Sequence, residues 1–198
     1  MESAAYSLED GTIIIKRKFT ELDAFVKKFI SVLKRHSEYL IVSGFVSIAT
    51  GRARGTEDVD ILVPVMERAG FGKFFKDAEK TGFWCYQGDS AEDIYPYVRE
   101  MDSIRFAEKG KMFPNIEFIP VNESKKAKWF ELKNPQKMKV GDFEFNVPPI
   151  EFEILYKETV LVGKKDMADA MHLRAFFSDI LSKEKFKQYE PIVRSELE

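Results

Sequence analysis

A mixed α/β protein that ends in a small helical region is the fold class this sequence predicts, and three observations carry that reading. Apolar residues at helical spacing alternate with short runs of strand formers between residues 11 and 147. Polar reversals rich in glycine separate many of those runs. After Pro148 the strand signal stops and helical periodicity continues to the end of the chain. The expected organisation is a mixed β-sheet flanked by helices over residues 1–147, followed by a helical region over 148–198.

Taken in order, residues 11–18 read as a short strand. Thr20, with Asp23 three positions on, has the form of a capping box, and Leu22, Phe25, Val26, Phe29, Ile30 and Leu33 then recur on one helical face. Residues 39–42 make a brief strand that stops at Ser43-Gly44, and 45–49 a helical turn. The stretch 51–57 is polar, basic and punctuated by glycine, as a loop should be, and it leads into a strand over 58–63. A helix is expected over 66–80, with Gly70 and Gly72 weighing against it. Strands follow over 82–87, 103–107 and 115–121, the last reached through a reversal at Gly110. Residues 138–140 and 143–145 flank Gly141-Asp142, a glycine-first pair suited to a two-residue hairpin loop. Helices are expected over 149–161, 165–181 and 183–198, with Gly163 as the break between the first two.

Composition narrows the function classes. Among 198 residues, 31 Lys and Arg nearly balance 33 Asp and Glu, so a polyanionic partner has to be met by a local basic patch and not by the field of the whole protein. The 44% hydrophobic share, with 18 phenylalanines, supplies a core and excludes global disorder. No run approaches the roughly 18 apolar residues of a membrane span, and the first residues lack the basic flank and apolar stretch of a signal peptide, so a cytoplasmic protein without membrane association is expected. The single Cys85 has no internal disulfide partner, which fits a reducing compartment. His36 and His172 have no ligand spacing with it, which argues against zinc. The P-loop, Gly-x-Gly-x-x-Gly and Gly-x-Ser-x-Gly motifs are absent.

The stretch from Ser43 to Val63 carries the chemistry. Side chains alternate along a strand, so Asp58 and Asp60 leave on the same face a few ångströms apart. Two carboxylates held so closely repel and call for a cation, and their oxygens are the hard ligands that magnesium prefers. Ile61-Leu62-Val63 would bury the strand beyond them and hold them rigid. Upstream, Ser43-Gly44 sits where a strand gives way to a helix, with free backbone N–H groups and room for a phosphate. An isolated Asp-x-Asp is more often a solvated strand end. Its position here, at the entrance to an apolar strand and behind the Arg54-Gly55-Thr56 lead-in, favours a triphosphate and metal site.

Ser43-Gly44 followed by Asp58-Val59-Asp60 resembles the signature of the polymerase-beta-like nucleotidyltransferase superfamily. The run Arg54-Gly55-Thr56-Glu57-Asp58-Val59-Asp60 is particularly similar to its small bacterial and archaeal members, including the nucleotidyltransferase toxins of abortive-infection systems. The resemblance covers roughly residues 38–181, with Ser43 in place of the first glycine usually found. It implies a nucleotidyltransferase core that moves a nucleoside monophosphate from an NTP to an acceptor hydroxyl on RNA such as tRNA, on protein or on a small molecule, with release of pyrophosphate. It also implies an antitoxin protein as partner. By the same resemblance Asp58 and Asp60 hold two Mg2+ ions, and Glu117, in Asn115-Ile116-Glu117-Phe118, supplies the third carboxylate where many relatives carry Asp. The nucleotide would be held by Ser43, Gly44, Ser47, Arg54, Thr56 and Lys157.

Lys157 and the stretch Lys164-Lys165-Asp166-Met167-Ala168-Asp169 look like the helical segment that follows the catalytic domain, whose lysines face phosphates or brace helices; Asp166 and Asp169 read as helix-terminus or structural charges. The alternative function is a lapsed nucleotidyltransferase fold that binds nucleotides or partners without catalysis; Glu117 too far from the Asp pair would favour it. An aminoglycoside-type small-molecule transferase is a third reading, for which Asp89, Glu92, Asp93, Glu100 and Asp102 would line an acidic acceptor pocket, unless they are plain surface. Phe71, Phe74 and Phe75 read as core and not as base-stacking residues. Trp129 beside Lys125, Lys126, Lys128 and Lys133 reads either as a contact for single-stranded RNA or as solvated surface.

Overall fold

The computed structural model describes residues 5–198. In chain order the elements are β1 (Tyr6–Glu9), β2 (Thr12–Ile15), α1 (Glu21–Leu33), β3 (Leu40–Ile41), α2 (Gly44–Ala49), β4 (Asp58–Pro64), α3 (Arg68–Lys80), β5 (Phe83–Cys85), α4 (Ala91–Arg99), β6 (Ile104–Glu108), β7 (Asn115–Val121), α5 (Lys126–Lys133), β8 (Gln136–Val140), β9 (Phe143–Val147), α6 (Ile150–Tyr156), α7 (Lys164–Phe176) and α8 (Lys183–Arg194). A π-helical turn, Lys157–Leu161, follows α6, and a 3₁₀ turn, Ser195–Leu197, follows α8. The mixed α/β class and the C-terminal helices are as the sequence predicts.

Contacts divide the chain into two compact units, and neither is a single stretch of sequence. One comprises the N-terminal residues up to Phe19, Leu40–Gly55 and Glu123–Glu198; the other comprises Thr20–Tyr39 and Thr56–Asn122. The C-terminal helices thus share a unit with the N-terminal strands, where chain order alone placed a boundary at residue 147.

The first unit contains a mixed sheet in the order β1-β2-β8-β9, with β2 and β8 parallel and the two outer pairs antiparallel. Gly141, at φ +59°, turns the β8–β9 hairpin, the position at which the loop needs a residue without Cβ. Its helices close over Phe152, Ala127, Tyr189 and Val193, with the Phe130 ring stacked 5.5 Å from Phe152. Strand β1 and helix α5 have no counterpart in the periodicity reading. Strand β1 begins beside the undescribed first residues, and α5 is masked by the lysines that crowd it.

The second unit carries four consecutive strands in the order β4-β7-β6-β5, with β4 and β7 parallel and the remaining pairs antiparallel. Helix α1 starts as the sequence predicts: Thr20 Oγ1 accepts from the Asp23 N–H and the Asp23 carboxylate accepts from the Thr20 N–H, which satisfies two of the helix's unpaired donors. Its apolar face meets α3 and the sheet through phenylalanine. Phe74 stacks on Phe118 at 5.6 Å and meets Phe106 edge-on at 5.7 Å, while Phe29 meets Phe83 at 5.1 Å. Phe71, Phe74 and Phe75 are all buried, so they are core residues. The acidic stretch 89–102 contains α4, whose Ser90 side chain accepts from the Asp93 N–H and caps its start, and whose Ile94 and Val98 are fully buried.

Candidate metal centre

Strand β4 has two unlike faces. Val59 and Ile61 are buried, whereas Asp58 and Asp60 leave on the opposite side and are only partly covered. Strand β7 repeats the pattern: Ile116 and Phe118 are buried and Glu117 is partly covered between them. Parallel pairing sets Asp60 directly opposite Glu117 and Asp58 opposite Asn115. One carboxylate oxygen from each of Asp58, Asp60 and Glu117 therefore lies within 4.8 Å of the other two. Side chains directly opposite on neighbouring strands come this close by construction, so the third acidic position follows from register. The lead-in is built for the same purpose: Thr56 Oγ1 donates to the Asp58 carbonyl at 2.6 Å and fixes the turn into β4. Thr56 thus supports the strand start.

A cation is already present. Strand β6 sets Arg105 opposite Glu117 on the side away from β4, and its Nη2 lies 3.1 Å from Glu117 Oε2 and 3.8 Å from Asp58 Oδ2. Ser103 Oγ donates to Glu117 Oε1 at 2.9 Å. Arg105 thus answers Glu117 and Asp58 from one side of the carboxylate group. The donor set, all carboxylate oxygen on rigid strands, fits a hard cation. Arg105 and Ser103 escaped the sequence reading because a strand arginine carries no motif; only the β6–β7 register brings them to Glu117.

The other expected site residues fall in the first unit. Ser43 adopts φ +63° and ψ −130°, a backbone region that favours glycine. Its side chain caps nothing, and the contact it makes, from its backbone N–H to the Glu153 carboxylate, is one glycine would keep. Ser43→Gly is therefore expected to raise the unfolding free energy by about 1 kcal/mol, the relieved strain less the extra chain entropy of glycine. Urea denaturation reads this directly, and a lower midpoint would show that Ser43 is not strained.

Gly44 begins α2 and is buried. A Cβ placed on it would come within 3.0 Å of the Arg54 guanidinium, so glycine is what lets Arg54 lie against that turn. Ser47 is fully buried and its Oγ has no hydrogen-bond partner among the described residues; Arg54 Nε is likewise unpartnered. Lys157 is also fully buried, with Nζ 3.2 Å from Glu153 Oε1 and 3.3 Å from Asp169 Oδ2. Of the two roles open to this lysine, bracing helices is the one this geometry supports, since no phosphate reaches an ammonium so enclosed.

Asp169 is the centre of this network. It accepts from Arg52 Nη1 through Oδ1, and from Arg54 Nη1 at 2.5 Å through Oδ2, which also faces Lys157. Three cations thus surround one buried aspartate, with Glu153 as the second anion. Burial pushes the Glu153 carboxyl above its ordinary range, while the Lys157 ammonium and the Ser43 backbone pull it back. Of the two readings of Asp169, helix-terminus or structural charge, the second is the one its ion pairs support, and no spacing in the sequence announces which partners it takes. Asp166 does lie in the first turn of α7. Trp129 is partly covered by its own neighbour, with Lys133 Nζ 4.7 Å above the ring.

No known protein family and no curated protein matches this sequence. Among the described residues, no helix is long and apolar enough to cross a membrane.

Proposed function

We propose that this protein is a metal-dependent nucleotidyltransferase that moves a nucleoside monophosphate from an NTP to an acceptor hydroxyl. The observation that carries the reading is the convergence of Asp58, Asp60 and Glu117, with ligand atoms within 4.8 Å of one another on two paired strands. A lapsed fold would be favoured by a Glu117 held away from the aspartates; its approach supports catalysis instead.

Asp58, Asp60 and Glu117 would hold magnesium, which when bound supplies a lowered pKa for an attacking hydroxyl and positive charge against phosphate. The strands hold the three carboxylates in place before any substrate arrives, so little reorganisation is required of them. The Ser43-Gly44 turn and the Arg54 guanidinium are proposed to receive phosphate oxygens, with Asp169 orienting Arg54. Lys157 is assigned to bracing Glu153 and Asp169. The acceptor classes are RNA, protein and small molecules, and an antitoxin-like protein is the proposed partner class.

The test is incubation with each α-labelled NTP and magnesium, with an RNA pool, the protein itself or an aminoglycoside as acceptor. Label transferred to one acceptor class and abolished by chelator supports the reading. Absence of transfer from every NTP to all three sinks it.

A further inference from the structure

The three carboxylates share their face of the sheet with Arg105, and the manner of its attachment is informative. It reaches Glu117 and Asp58 with the same terminal nitrogen, Nη2, at 3.1 and 3.8 Å, so it holds both end-on. By contrast, Arg174 grips Glu158 with two nitrogens, at 2.7 and 2.8 Å. The Arg105 side chain is 42% exposed, and its backbone N–H is fixed separately by Gln87 Oε1 at 2.8 Å, so the guanidinium can leave without disturbing β6. A single-point ion pair on a partly exposed guanidinium is weakly held, which makes it replaceable. It nevertheless occupies the two carboxylates that a divalent ion would need.

We propose that Arg105 is a resident counter-ion that a divalent cation must displace from Glu117 and Asp58, so that the metal affinity of this site is set by competition with the protein's own guanidinium. The inference rests on reading the carboxylates as a metal site. Arginine suits the role because it stays charged at every accessible pH, so the competition does not lapse in neutral or mildly alkaline solution. Ser103, which holds the other oxygen of Glu117, keeps that carboxylate oriented while Arg105 departs.

Calorimetric titration with Mn2+ alone tests this on wild type, Arg105→Gln and Asp58→Asn. Arg105→Gln is expected to bind Mn2+ about tenfold more tightly than wild type, because one unit of positive charge leaves the immediate neighbourhood of the ion. Asp58→Asn is expected to bind it more weakly. Wild-type binding with an Arg105→Gln affinity that is unchanged or reduced overturns the competition and leaves the metal reading standing. Failure of both wild type and Arg105→Gln to take up Mn2+ overturns both. The wild-type chain supplies a second measurement that does not depend on the variant folding: the Arg105 Nε–H resonance should move on addition of Mg2+ and reach a plateau. A resonance unmoved at saturating Mg2+ overturns the proposal.

Discussion

Replacing Asp169 with alanine is expected to cost about 3–5 kcal/mol of folding stability, enough to unfold a protein of ordinary marginal stability. The carboxylate is fully buried and answers Arg52, Arg54 and Lys157 together. Removing it leaves the Lys157 ammonium, itself fully buried, with Glu153 as its remaining carboxylate partner. Arg52 and Arg54 are 22% and 17% exposed at the side chain and can turn toward water, so the cost concentrates on Lys157. A double replacement, Asp169→Leu with Lys157→Met, should recover a large part of the loss, because well-packed apolar residues often replace a buried ion pair at little net cost. Denaturant midpoints of the single and double variants decide the matter. A loss below about 1 kcal/mol for Asp169→Ala would mean that the aspartate is not what holds the network.

Asp58→Ala and Asp60→Ala are each expected to reduce nucleotidyl transfer about a thousandfold or more, since a metal ligand supports several kcal/mol of charge stabilisation and each 1.4 kcal/mol is a factor of ten. The Asp58→Ala protein should fold as well as wild type. Its carboxylate is 40% exposed and stands beside two others, so alanine relieves repulsion where it removes a distant contact to Arg105. Label transfer from NTP measured beside circular dichroism separates the two effects. Transfer at wild-type rates in a folded Asp58→Ala protein would end the assignment of these carboxylates to catalysis.

The sequence discloses those parts of the molecule in which neighbours along the chain do the work. The Thr20-Asp23 capping box, the Gly141 hairpin and the two faces of β4 all depend on contacts a few residues apart, and each is present where periodicity puts it. Glu117 was within reach only through the family resemblance, which calls for a third carboxylate on a strand near the aspartates. Arg105, Arg52 and Asp169 were not, since their partners lie 12 to 117 residues away and only register or helix packing joins them. Helix α4 was hidden for a different reason: its acidic first turn reads as surface, although Ser90 three residues before Asp93 is a cap that the same rule would have found. The division into units was the least visible feature, because it requires the last helices to return to the first strands of the chain.

Strand β4 sends its aspartates one way and Val59 and Ile61 the other. Chemistry and folding are thereby written on alternate letters of the same word. The acidic letters can drift, vanish or be rewritten while the apolar ones keep the strand in its sheet. Gaining or losing one residue within the strand would instead exchange the two sets at once, which makes this short segment tolerant of substitution and intolerant of any change in length.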